Sequence, residues 1–580
     1  MRLVLNNFQD LYQKNTKNLF LGEWCHADQK LNLNDNKIIQ KYHWEDKNKL
    51  SKDYKYLDSL ILTIHKQLAQ KLNKIHNTSL QDEYWNIVLS PWVEFFVTSL
   101  FDKWESVKIA HDNFSITDVS IYDYKQKKIP ADYYEFLCLF NNEEWNHSIF
   151  GEIIKFIGKP ECKINRIEKK EISFSKNATK PKFYKVFLDI VFSKIQKKNK
   201  ILFLDHYFGK INYLKICLKL IQFPRIFHEF YKKINFPQPD SINRNKLKLD
   251  LDNNEFEKFL SKTIFLNIPV CFLEGYEIMH QKVLEIKLDT DVIITGNRDF
   301  VSDLARFWAA HQATKNKKII LNEHGGGIPY KYMHYSITNE TFNDQIIWVK
   351  NKIFDRRKKI NQKQLTPGRL INFSNLKSKN KIDIKNKFIS LITIESYLFA
   401  KQCVALPSSL ILKDFAQKDN LLKLLKNQNI EFKIKPFKDR GWNLSKKFRD
   451  NFGKNVITNL STKDLIKKSK LMICGYPETP LMESMVSGTP TILLFLKDYW
   501  EFEDDYQDLI KTLKKNKILF SSSDEAFEHI SKVYSNPYEW WNDKEVVRAR
   551  ERFHLDCGGV SSNWLKEWSN YLKEKTKDEL

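Results

Sequence analysis

A chain of 580 residues with 42% hydrophobic and 14% aromatic content has the length and apolar surface for two or three cored domains, which excludes a disordered protein. The formal net charge of +24 directs attention to anionic partners, yet lysine far outnumbers arginine and Asn and Ile are abundant, a pattern of AT-rich coding that weakens the charge as a functional signal. No RRM, helix-turn-helix or zinc pattern supports nucleic acid as a partner, so the basic nucleic-acid-binding reading stands last among the alternatives.

The N-terminus, MRLVLNNFQD, is too short an apolar run for a signal peptide, and no stretch of about 18 apolar residues offers a membrane span. Residues 1–110 read as a helical N-terminal region, with Leu57, Leu60, Ile61, Ile64, Leu68 and Leu72 at helical spacing. Glu23 follows the short apolar strand Leu19 to Leu21 and is either a weak site candidate or a buried carboxylate holding this region together. Residues 111–354 read as a Rossmann-like, acceptor-side domain. Its strands are Ile201 to Leu204, ending at Asp205-His206, then Asp291 to Thr295, Lys318 to Asn322 and Gln345 to Val349. Alternation with helices implies a parallel sheet with right-handed crossovers.

Residues 355–386 are polar, contain Thr366-Pro367-Gly368 and read as a linker. Residues 387–540 read as a second Rossmann-like domain, with strands at Phe388 to Ile394, Ile430 to Ile434, Leu471 to Cys474 and Pro490 to Phe495. Ser461 and Asp464 form a helix-capping signal. The tail, 541–580, is helical, and residues 543–573 can cross back to the first domain. The terminal Lys-Asp-Glu-Leu spells a retention signal that is a coincidence without a signal peptide. Eight cysteines with no Cys-x-x-Cys pair suit a reducing cytoplasm and argue against structural zinc.

The most informative stretch is Cys474 to Pro490. A strand ends in a turn, Thr479 sits where a helix N-cap is wanted, Pro480 takes the first helical position and Gly488 stops the helix. Such a helix aims free N–H groups into the crevice at the carboxyl end of a parallel sheet, where phosphates bind. Glu483, one turn in, can accept hydrogen bonds from ribose hydroxyls, while a solvated glutamate is the bland alternative. Lys435 and Arg440 flank the turn after the Ile430 to Ile434 strand and can neutralise phosphate charge.

Upstream, the strand Lys318 to Asn322 runs into Glu323-His324-Gly325-Gly326-Gly327. The glycines let backbone N–H groups approach a ligand closely. His324 is a general base, a donor-phosphate ligand or a loop-fixing residue. Asp299 and Asp303 are alternative bases, with Asp299 also suited to favour a helix N-terminus. No Asp-x-Asp motif of the metal-binding type sits in a suitable loop, and no Walker A or Gly-x-Gly-x-x-Gly after a strand is present, so neither a metal nor another cofactor is called for.

The 474–490 segment resembles the donor-nucleotide loop of GT-B glycosyltransferases, and His324 with its glycines resembles a signature of bacterial surface-carbohydrate transferases. Phe20 to Cys25, Tyr42 to Asp46, and Tyr84-Trp85 through Pro91-Trp92 extend the likeness. Together they resemble a leptospiral-type O-antigen biosynthesis transferase family, distantly related to capsule Kdo transferases and CDP-glycerol glycerophosphotransferases. The family's usual glutamine before the histidine is Glu323 here.

The resemblance implies an α/β, GT-B-like fold of two doubly wound domains facing a cleft. It implies a cytoplasmic, metal-independent glycosyltransferase of O-antigen, lipopolysaccharide or capsule synthesis, with donor contacts at Gly325, Gly326, Lys435, Arg440, Thr479 and Glu483. The partners implied are a nucleotide-sugar donor, such as a CMP-linked acidic sugar, and a glycan or lipid-linked glycan acceptor, with peripheral inner-membrane contact allowed. The alternative is transfer of a polyol phosphate from a CDP-linked donor.

Overall fold

The computed structural model describes residues 1–8, 11, 16–27, 37–169, 171–172, 183–195, 200–298, 300–337, 341–342, 344–349, 361–374, 376 and 388–576. Three five-stranded, wholly parallel sheets organise them.

The first sheet contains β1 (Arg2–Val4), β2 (Asn18–Phe20), β3 (Lys37–Ile39), β4 (Asp118–Tyr124) and β5 (Lys163–Lys169), in the order β3-β2-β1-β4-β5. Two long helices, Lys47–His76 and Asp82–Asn113, separate β3 from β4. The second helix is buried along most of its length, with Trp85, Trp92 and Trp104 in the core. The region read as helical therefore also carries a sheet, and that sheet continues past residue 110 because β4 pairs with β1. Three-residue strands are too short to show a period of two, so the long helices dominate the sequence pattern.

The second sheet contains β6 (Ile201–Phe203), β7 (Val292–Thr295), β8 (Lys318–Asn322), β9 (Asp344–Ile347) and β10 (Asn361–Gln364), in the order β10-β9-β8-β7-β6. Both faces are covered, as a sheet of Ile- and Val-rich parallel strands requires. Helix Asp303–Ala313 shields one side, its buried Phe307 sharing a core cluster with Ile293 and Leu321. On the other, helix Trp564–Lys575 returns to bury Trp568 and Leu572 with Ile201, Phe203 and Ile294. Trp568 Nε1 donates to Thr366 O at 2.8 Å, and Lys575 Nζ bonds Asp344 Oδ1 at 2.6 Å. Both β10 and the helix Gly368–Ser374 come from the stretch read as a linker.

The third sheet contains β11 (Phe388–Ile392), β12 (Phe432–Lys435), β13 (Ser469–Cys474), β14 (Thr491–Leu494) and β15 (Leu519–Phe520), ordered β12-β11-β13-β14-β15. Its order reverses between β11 and β13, which opens a crevice beyond their carboxyl ends. Ser461 Oγ caps the Thr462–Lys468 helix by accepting from Asp464 N at 3.1 Å, as its capping signal predicts.

The second and third sheets face one another, joined by Ile328 N donating to Pro477 O at 3.0 Å. This is the expected α/β, GT-B-like pair of domains. The first sheet's unit packs on the third through Glu45, which accepts from Ser409 N and Oγ, and through Lys103, ringed by Phe140, Phe150 and Phe399. Burial pushes the Lys103 ammonium down to about 8. Among the described residues no helix is long and apolar enough to cross a membrane.

Candidate active site

One wall of the cleft is built at the reversal in the third sheet. After β13, Gly475 N donates to Ile392 O at 2.8 Å and the chain turns into the Thr479–Ser487 helix. Glu478 is the N-cap and Thr479 the first helical residue, one position earlier than the sequence suggests. The Glu478 side chain caps nothing; it accepts from Tyr330 OH of the facing domain at 2.6 Å. Gly488, at φ +78°, stops the helix in the left-handed conformation glycine favours.

Glu483 is 1% exposed. Its Oε1 bonds Arg369 Nε at 2.5 Å, while Oε2 is buried with no hydrogen-bond partner among the described residues. Burial raises its carboxyl pKa, and the Arg369 and Lys435 charges oppose the rise. Arg369 escaped the sequence reading because its seven-residue helix lies in a polar stretch, with only Pro367-Gly368 marking a turn. Lys435, at the end of β12, places its ammonium 2.6 Å from Leu460 O.

Arg440 lies at the reversal itself. Its guanidinium stacks over Tyr397 at 3.7 Å and Phe437 at 4.4 Å, and donates to Glu395 O at 3.1 Å. Glu395, at the end of β11 and also missed in the sequence, accepts from Arg440 N at 2.8 Å and Trp442 N at 3.0 Å. Burial pushes its carboxyl up to about 7, with Asp439 alongside. The Glu478 carboxyl is raised by burial too, against the Tyr330 hydrogen bond and the Arg440 charge.

The second sheet supplies the opposite wall. Glu323 ties β8 to the end of β9: Oε2 accepts from Trp348 N at 2.7 Å and its carbonyl from Trp348 Nε1 at 2.8 Å. Burial pushes that carboxyl up to about 7. His324 is exposed at the carboxyl end of β8, with Nδ1 3.1 Å from Gly296 O. A carbonyl only accepts, so the neutral ring carries its proton on Nδ1 and its lone pair on Nε2. Gly296 N in turn donates to Asp205, whose carboxyl is pushed up to about 6 by burial. Asp205 thus holds the residue whose carbonyl orients His324, a link between sequence-distant strands that spacing could not reveal.

A Cβ at Gly325 would lie 2.7 Å from Thr479 Oγ1, and one at Gly326 would lie 2.6 Å from the Trp348 ring. At Gly327 it would meet Pro477 O at 2.0 Å and Glu478 Cα at 2.7 Å. The room each glycine leaves is taken by protein, from the facing wall at Gly325 and Gly327 and from the same wall at Gly326, so a donor contact at Gly325 or Gly326 would be made by backbone N–H groups alone. Beyond them the chain clasps the third domain: Lys331 N donates to Glu501 O at 2.8 Å and Glu503 N to Pro329 O at 3.0 Å.

Asp299 lies outside the described residues. Asp303 is buried, accepts from Tyr133 N at 3.1 Å and pairs with Arg306, which makes it a packing residue rather than a base. Glu23 pairs with His26 at 3.0 Å, within the first sheet's unit. The loop of His324 meets Thr479 through Gly325, whereas Lys435 and Arg440 supply the charges felt by the Glu483 and Glu478 carboxyls, respectively.

The LIC12162 family transferase profile matches residues 1–572. The chain belongs to this family. No curated protein matches the sequence. Among solved structures, it is similar to a Listeria monocytogenes protein provisionally assigned as a UDP-N-acetylglucosamine 2-epimerase, with TM-score 0.35, 10% identity, 56% of this chain and 85% of that one covered. The wall teichoic acid polymerase TagF, in a histidine-to-alanine variant, gives TM-score 0.33, 12% identity and coverage of 54% and 78%. A glycosyltransferase from Rickettsia africae ESF-5 gives TM-score 0.30, 14% identity and coverage of 56% and 89%. This LIC12162 family transferase is therefore an enzyme that transfers a group.

Proposed function

We propose that this LIC12162 family transferase is a metal-independent glycosyltransferase of O-antigen or capsule synthesis in the cytoplasm. It moves a sugar from a nucleotide donor, a CMP-linked acidic sugar fitting best, to a glycan or lipid-linked glycan acceptor at the inner membrane. The observation that carries the reading is the meeting of His324's loop with the Thr479 helix, which places a proton acceptor opposite a helix N-terminus. His324 Nε2 takes the acceptor hydroxyl's proton as that oxygen attacks the anomeric carbon. The bond to the donor phosphate breaks, and Thr479 N–H with Arg440 and Lys435 stabilises the charge left on it. Glu483 Oε2, buried and unpartnered, accepts from a ribose hydroxyl, and Arg369 holds the carboxylate in place.

A thermal-shift series with CMP, CDP, UDP and GDP tests the reading, with the cytidine nucleotides expected to stabilise the protein most. Glu483→Ala should weaken binding of the preferred nucleotide by about 1–3 kcal/mol, the cost of unpairing buried polar groups. If no nucleotide raises the melting temperature, the donor site is elsewhere. Product mass separates sugar transfer from transfer of a polyol phosphate.

A further inference from the structure

The helix Phe183–Ile195 is amphipathic in the opposite sense to a water-facing helix. Its Asp189, 2% exposed, points inward and accepts from Arg225 Nε at 2.5 Å, Ile226 N at 3.0 Å and His228 N at 2.9 Å, with His228 Nδ1 at 2.7 Å. Its apolar residues point outward: Phe183 is 86% exposed, Phe187 58% and Ile195 62%, with Leu188 and Val191 beside them. The neighbouring helix Gly209–Lys219 repeats the pattern, exposing Ile211, Leu214 and Leu218, and Ile221 beyond its end is 90% exposed. Phe223 stacks on Phe192 at 5.1 Å and joins the two stripes.

Large apolar side chains exposed in this number on two helices linked by a ring stack mark an interface. Its rim is cationic. Residues 183–223 contain eight lysines, and their only acidic residues are the buried Asp189 and the cleft residue Asp205. Lys194, Lys210, Lys215 and Lys219 are exposed around the apolar centre. A two-fold contact between copies would set lysine rim against lysine rim. An anionic bilayer instead offers acyl chains to the phenylalanines and leucines, and phosphates to the lysines.

We propose that the helices Phe183–Ile195 and Gly209–Lys219 form a docking face for anionic phospholipid membranes. This gives a surface to the membrane contact of the proposed function and rests on that reading for its purpose. The strand between the two helices, β6, leads to Asp205, so the face adjoins the wall that carries His324.

Co-sedimentation of the full chain with phosphatidylcholine vesicles, with and without phosphatidylglycerol, tests the proposal. The wild type should bind the mixed vesicles at least about tenfold better than neutral ones, and added salt should weaken that binding. The surface variant Phe187→Ser/Leu218→Ser should lose about tenfold or more of it, with the melting temperature and the nucleotide-induced shift unchanged. Lys215→Glu/Lys219→Glu should weaken binding to the mixed vesicles alone. Failure of the wild type to sediment with anionic vesicles overturns the proposal while leaving the nucleotide site standing. So does a Phe187→Ser/Leu218→Ser variant that turns a dimer into a monomer with vesicle binding intact, which would make the face a contact between copies.

Discussion

Two of the three sheets reverse their strand order, between β1 and β4 in the first and between β11 and β13 in the third. In the first, Phe8 closes the crevice, its ring 5.2 Å from Tyr122 and 5.4 Å from His147. That histidine is spent on structure: Nε2 accepts from Tyr122 N at 3.0 Å and Nδ1 donates to Asn6 Oδ1 at 3.0 Å. In the third, Glu395, Arg440 and Glu478 furnish the crevice with charge, and two of those carboxyls have raised pKa values. Reversal opens a crevice wherever it occurs; the side chains that fill it decide whether chemistry follows.

The comparison breaks most sharply at His324. His324→Ala should lower turnover by about 10²–10⁴ if its Nε2 is the base, with the melting temperature unchanged. Full activity would mean that the charged crevice works without a partner on the facing wall. Gly327→Val forces a side chain onto Pro477 O and Glu478 Cα and should push the walls apart. A displacement near 1 Å costs about 10² in rate, so turnover should fall while the individual sheets stay folded, as circular dichroism would report.

A paired substitution sharpens the contrast between the crevices. Arg440→Ala should weaken nucleotide binding by about 1.5–3 kcal/mol, the range for hydrogen bonds to charged groups. Phe8→Ala should leave that affinity unchanged and lower stability alone. Titration calorimetry of both variants decides it, and equal losses would erase the distinction.

The smallest effect concerns pH. Burial moves the Glu323 carboxyl from 4.5 up to about 7. Across that window the folded chain holds a proton that the unfolded chain has released, so stability falls as pH rises. Glu323→Gln keeps an acceptor for Trp348 N and removes this fall. Its melting temperature should therefore decline less than the wild type's over the same window, and parallel curves would refute the assignment.

The third domain was legible because its strands are four to six residues of largely apolar sequence, apart from short β15, and its Thr479 helix carries a proline at one end and Gly488 at the other. The first sheet was not, because β1, β2 and β3 have three residues each; of these only β2 left a trace, as the short apolar strand at Leu19 to Leu21, and pairing identifies the rest. Of the site, His324, Thr479 and Glu483 announced themselves through local turn and cap chemistry. Arg369, Glu395 and Asp205 did not, since each is defined by a partner distant in sequence: Glu483, the Arg440–Trp442 turn and Gly296. The glycines were seen without their neighbours, because sequence shows that space is needed without showing what occupies it.

The returning helix Trp564–Lys575 constrains how the protein is made. Trp568 and Leu572 complete a core begun by Ile201 and Phe203, more than three hundred residues earlier in synthesis. Domains ordinarily fold as they leave the ribosome, N-terminal first. Here that core emerges only in part, with Tyr213 and Ile216 against the strands, and stays incomplete until the third domain has been translated. The nascent chain must keep the uncovered apolar side chains from aggregating throughout, a demand that chaperones answer.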